Sequence, residues 1–168
     1  MRKSLIVILL FVSSLVSAQS NGHLMMLYVN DFRASYFVPD LAYSYTLEAV
    51  AKEYTEAMIE LDVFAHHTVP WREIQHVMID AVHKNSEYWI INAGTFYGDI
   101  IYQQRESQEF QSATKMLKAF EQSPPHLAAL IRPDWKYVGI YQAVDRDPER
   151  VVGVFVFAGG GHERHAAK

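Results

Sequence analysis

Histidine is the residue type in this chain best suited to chemistry. There are eight, against no cysteine. Metal ligation, proton transfer or polarisation of a bound group must therefore fall to imidazole, carboxylate and hydroxyl groups. His126 has the most distinctive setting. It follows Ser123-Pro124-Pro125, where Ser123 can cap a helix and Pro124 suits the first helical position, whose N–H needs no partner. That places His126 in a first helical turn, at the positive end of the dipole, which disfavours imidazolium. A neutral ring there can bind a metal or accept a proton. His66 and His67 follow a long helical pattern and fall in a loop. His76 and His83 are seven apart and can share a helix face, but a chelating pair needs i, i+4, so they read as solvated surface. His162 and His165 lie in a tail and read as ordinary tail residues. No Gly-x-Ser-x-Gly, His-Glu-x-x-His or P-loop occurs, and Gly159-Gly160-Gly161 lacks the Lys-Ser/Thr of a phosphate loop.

The elements that must position these side chains follow from periodicity. Met25, Val29, Phe32 and Tyr36 predict a helix over 24–36, broken by Phe37-Val38-Pro39-Asp40. The clearest 3.6-residue pattern is Leu47, Val50, Ala51, Tyr54, Met58 and Leu61, a helix over 46–61 whose stripe is core rather than groove. Pro70 starts a third helix with Trp71, Ile74, Val77, Met78 and Ala81 inward, and 88–91 reads as a buried strand. The stretch 97–104 is ambiguous, with a strand around 100–102. Phe110, Ala113, Leu117 and Phe120 place a fourth helix over 107–122, ahead of the His126 helix. Strands over 137–144 and 151–157, joined by the charged turn Asp145-Arg146-Asp147-Pro148, form an antiparallel hairpin. Helices come first and strands mix with helices later, without regular βαβ alternation. That order selects an α+β fold.

Composition narrows the function. Arg2 and Lys3, the apolar run 5–16 and Val16-Ser17-Ala18 make residues 1–18 a signal peptide, with cleavage before Gln19. No later stretch approaches the ~20 apolar residues of a membrane span. One domain then occupies 22–158, and 159–168 is a flexible Gly/His tail. The 15 Lys+Arg stand against 19 Asp+Glu, and losing Arg2 and Lys3 with the leader makes the balance more acidic still. Such a surface argues against nucleic acid, which requires a basic face, and offers no attraction to anionic lipid. Export without a single disulfide suits a secreted or periplasmic bacterial protein.

Three blocks, in order, carry a resemblance. Leu27-Tyr28-Val29-Asn30-Asp31-Phe32-Arg33 has an Asn and an Arg three apart on the opening helix. Leu47 begins an amphipathic helix that ends in Phe64-Ala65-His66. Ser123-Pro124-Pro125-His126 leads to Pro133-Asp134-Trp135 and Val138-Gly139-Ile140. Over residues 24–158 the chain resembles the CAP superfamily, the SCP-like extracellular domains of cysteine-rich secretory proteins, antigen 5 and pathogenesis-related proteins, and specifically its cysteine-free bacterial members. The resemblance implies an α-β-α sandwich, a small antiparallel sheet flanked by helices. It further implies that His66 and His126 face each other in a ligand-binding cleft, and that the pair can hold a divalent metal such as zinc.

Two departures weigh on activity. The family's Gly-Glu-Asn-Ile block corresponds here to Ile91-Asn92-Ala93-Gly94-Thr95-Phe96-Tyr97-Gly98, and either Ala93 or Ile91 takes the position of the acid. The family's other acid has no counterpart. Two imidazoles alone make a poor zinc site, since three or four protein ligands are usual, and a third would have to come from His67 or Glu73. Without the acids the obvious general base is missing. The expectation is therefore a non-catalytic binding module for a small molecule, a lipid or a cell-envelope component. The alternative is a divalent-metal-dependent hydrolase acting on peptide, lipid or cell-wall material.

Overall fold

The computed structural model describes residues 21–66, 84–85, 95–105, 113–146 and 149–160. The expected leader, the helix from Pro70, the strand over 88–91 and the tail from 161 lie outside the described residues, as do His67, Glu73, His76, His83, His162 and His165. In chain order the elements are α1 (Asn21–Ser35), β1 (Ala42–Tyr43), α2 (Tyr45–Glu60), β2 (Thr95–Arg105), α3 (Ala113–Glu121), α4 (Pro124–Leu130), β3 (Trp135–Arg146) and β4 (Glu149–Gly160). The sheet order is β1-β3-β4-β2. The three long strands pair antiparallel, as the hairpin reading requires, and short β1 joins β3 in parallel. The fold is α+β, with helices on both faces of this sheet.

Each face has its own core. Strand residues alternate between faces, so neighbouring Ile100 and Ile101 go to different layers. Ile101, Val152, Val154, Val156 and Ala158 pack with Leu47, Val50, Ala51, Tyr54 and Met58 of α2. Ile100, Ile140, Phe155 and Phe157 pack on the other side with Met25 and Val29 of α1, Met116, Leu117 and Phe120 of α3, and Leu130 of α4. Gly139 lets α2 seat directly on β3, because a Cβ there would overlap the backbone of Leu47 and Glu48. Helix α2 starts where Ser44 accepts a hydrogen bond from the Leu47 N–H at 3.1 Å.

The Asn30 and Arg33 of the opening block are structural. Asn30 donates to the Leu41 carbonyl at 2.9 Å and accepts from the Leu41 N–H at 2.8 Å. Arg33 is fully buried. Its guanidinium donates to the carbonyls of Pro39 at 2.9 Å, Leu130 at 2.6 Å and Arg132 at 3.2 Å. One side chain thus ties the loop after α1 to the end of α4, where free carbonyls need donors.

Three expectations need correction at the element level. Ser123 sits at the N-cap of α4 but makes no side-chain cap bond. Pro125 at the second helical position removes one of the two N–H groups from which a cap side chain accepts. The charged stretch from Asp145 is strand rather than turn as far as Arg146. Asp145 pairs across the hairpin with Arg150, Oδ2 to Nε at 3.0 Å. Strand β4 also continues into the glycine run, through Gly160.

Candidate functional site

The site begins where α2 stops. Its last turn closes by bonds from the Asp62 N–H to the Ile59 carbonyl (3.2 Å) and from the Val63 N–H to the Met58 carbonyl (3.0 Å). Asp62 takes the left-handed conformation, φ 49°, that this helix ending requires. Its carboxylate bonds the buried Arg150 guanidinium at 2.9 Å, which anchors the exit to β4. The chain then runs through Phe64 and Ala65 to His66.

From the opposite layer, α4 delivers His126. Its ring packs edge-on against Phe120 at 5.3 Å between centroids. Phe120 in turn meets Tyr102 at 5.9 Å and Phe155 at 5.4 Å, so an aromatic stack of the core holds the imidazole. Between the two layers runs β2, an outer strand among the described residues. Along it a hollow of about 650 Å³ opens. Phe64, Ile101, Tyr102 and Phe120 supply apolar wall, and His66, Gln103, Ser123 and His126 supply polar groups. Few polar groups set in an apolar concavity is the usual make-up of a ligand pocket. The two sequence-predicted histidines therefore line the same hollow. A second hollow, of about 560 Å³ beside Asp40, Asp134, Trp135 and Lys136, has no histidine in its lining.

The electrostatics differ between the two rings. His126 is held below its ordinary value of 6.5, first by burial and second by the nearby charge of His66. The direction is the one expected from sequence, but these causes stand in for the helix terminus, since α4 has only seven residues. His66 has a carboxylate partner: its Nδ1 lies 2.7 Å from Asp99 Oδ2. Sequence reasoning missed Asp99, having looked for an acid only within 91–98. The available signal was parity. Asp99 shares the face of Ile101, the face that α2 covers, and α2 leads straight to His66.

Among the described residues, no group of three or more His, Cys, Asp or Glu side chains is arranged to hold a metal ion. Two cleft imidazoles fall short of the usual zinc ligand set. The expected third donors, His67 and Glu73, lie outside the described residues. Among the described residues no helix is long and apolar enough to cross a membrane.

Comparison with known proteins agrees with this fold. An outer surface protein from Borrelia burgdorferi superposes with a TM-score of 0.56 at 20% identity, over 84% of this chain and 92% of that one. An extracellular SCP-domain protein from Bacillus anthracis gives 0.54 at 16%, over 81% of this chain and 40% of that one. A cysteine-rich secretory protein from Staphylococcus aureus gives 0.52 at 12%, over 82% and 37%. The chain thus spans about two fifths of the latter two. No curated protein matches the chain by sequence. The model of the CAP family, described as the cysteine-rich secretory protein family, matches residues 26–157. With that match spanning nearly every element above, the chain belongs to the CAP family.

Proposed function

We propose that this chain is an exported, non-catalytic ligand-binding domain whose cleft is floored by His66 and His126. The observation that carries the reading is their shared hollow of about 650 Å³, with aromatic walls and two imidazoles on its lining. Its apolar surface and few polar groups suit a small amphiphile, a lipid or a cell-envelope fragment. Secretion or release into a periplasm, after removal of residues 1–18, fits the leader composition and the family. The Borrelia relative, named an outer surface protein, is in keeping with it. Mass spectrometry of the exported protein should find a chain beginning at Gln19.

Nile red, a neutral hydrophobic dye, tests the cleft. Saturable fluorescence enhancement is expected for the wild type. Replacing Phe64 by Ser or His126 by Ala should weaken binding several-fold. A dye that does not saturate, or that ignores both substitutions, removes the proposal. A second reading is a divalent-metal-dependent hydrolase using His66 and His126 as ligands, and it is favoured only by that pair. Calorimetric titration with zinc separates the two. Micromolar binding lost in both His66→Ala and His126→Ala selects the metal site, and no heat in the wild type eliminates it.

A further inference from the structure

Gln142 is a polar side chain set into the second core. It follows Ile140 by two positions on β3 and so shares its face, and it is buried. Its Nε2 donates to Met25 Sδ of α1 at 3.3 Å and to Met116 Sδ of α3 at 3.8 Å. Its Oε1 is buried with no hydrogen-bond partner among the described residues. Gly153, the residue opposite it on β4, leaves it room: a Cβ there would come within 3.0 Å of Gln142 Cγ. A buried carbonyl oxygen without a donor costs stability that an apolar side chain of similar shape would not. Leucine would fill the two helix positions about as well as methionine does. Packing alone therefore does not account for two sulfurs and an unused oxygen brought to one point.

We propose that Met25, Met116 and Gln142 form a binding site for a soft monovalent cation, copper(I). Thioether sulfur is a soft donor that suits copper(I), whereas harder divalent ions favour carboxylate, carbonyl and water. The two ends of an amide have nearly the same shape, so a half-turn about its last bond puts Oε1 where Nε2 now stands. Two thioethers and a carbonyl oxygen then converge from α1, α3 and β3. All three donors are uncharged. The cost of stripping water from an ion rises with the square of its charge, so a neutral donor set tolerates one charge far better than two. Met25 is 5% exposed and Gln142 8%, which leaves the site at the rim of the core, within reach of an ion from solvent. The chain holds no cysteine to compete for such an ion. None of the three residues lines the histidine hollow, so the site does not depend on the cleft.

Silver(I), a stable probe for copper(I), tests the site. The full exported chain, labelled at its methionine methyl carbons, is titrated with silver nitrate in chloride-free buffer and followed by ¹³C–¹H spectra. The Met25 and Met116 methyl resonances should shift and saturate at one ion per chain. Met58, which lies in the other core, should not respond. Copper(I) kept reduced by ascorbate should give the same two shifts, and zinc should give neither. The Met25→Leu/Met116→Leu double variant, which conserves volume, should bind silver at least tenfold more weakly. Gln142→Leu should bind it several-fold more weakly. Both shifts should persist in His66→Ala/His126→Ala. Wild-type methyls that ignore stoichiometric silver overturn the proposal whether or not any variant folds. So do shifts that vanish with the two histidines, a site that takes silver but refuses copper(I), and undiminished binding in the folded double-leucine variant.

Discussion

His126 shows how one side chain can report on its surroundings. It packs on Phe120 and shares the hollow with His66, and both neighbours oppose its protonation, burial more strongly than charge. The folded state therefore takes up this proton less readily than the unfolded chain. The sign follows from linkage. Between the lowered native value and 6.5 the unfolded state binds more protons, so stability falls as pH drops through that window. Above 6.5 the group contributes no slope. His126→Leu keeps an apolar body against Phe120 and removes the proton. Urea unfolding in chelator-treated buffer, from about pH 8 down to about pH 5, should show the wild type losing more stability than His126→Leu. Parallel pH profiles for the two proteins would contradict the assigned environment.

Individual elements end for reasons that can be tested in isolation. Helix α1 closes as α2 does: the Phe37 N–H bonds the Ala34 carbonyl at 3.0 Å, and the Val38 N–H bonds the Arg33 carbonyl at 3.3 Å. The residue that turns left-handed here is Phe37, with φ 58°. A left-handed residue with a Cβ costs roughly 1–2 kcal/mol, which glycine avoids. Phe37 recovers nothing by packing, being 97% exposed. Glycine gives back part of the gain through its freer unfolded chain. Phe37→Gly should therefore stabilise the protein by about 0.5–1 kcal/mol, seen as a higher urea midpoint with an unchanged slope. A destabilised variant would mean that the ring makes contacts absent from this structure.

The same element view explains which parts were legible in the sequence. Helix α2 was readable because one face is buried and one is solvated, which writes a 3.6-residue period. Strand β2 was readable only around 100–102, since both its faces are covered there. Ile100 and Ile101 serve different layers, and a strand buried on both sides shows no alternation. The charges at 145–150 suggested a turn because a cross-strand ion pair and a solvated loop have the same composition. The two cleft histidines came from family blocks, not from periodicity. Asp99 came from neither, because strand register decides its partner and one sequence does not display register.

At the scale of the whole molecule, the cleft is a joint between two layers that share a sheet but have separate cores. His66 hangs from the α2 layer and His126 from the α3–α4 layer, and β2 runs between them. Interiors are close-packed, so a cavity in one layer shifts its own elements first. Distant sites tend to act independently. Met58 lies at the end of α2, almost fully buried in the first core. Leu117 lies in α3 within the second. Truncating either to alanine should cost about 2–5 kcal/mol. The two variants should differ in what happens at the cleft. Met58→Ala loosens the α2 exit and should move the His66 ring resonances while sparing those of His126. Leu117→Ala loosens the seat of Phe120 and should do the reverse. Ring spectra that respond alike to both substitutions would show that the two walls move as one body. Selective responses would mean that each layer sets its own histidine, and that the spacing between the rings depends on how the two layers sit against the sheet.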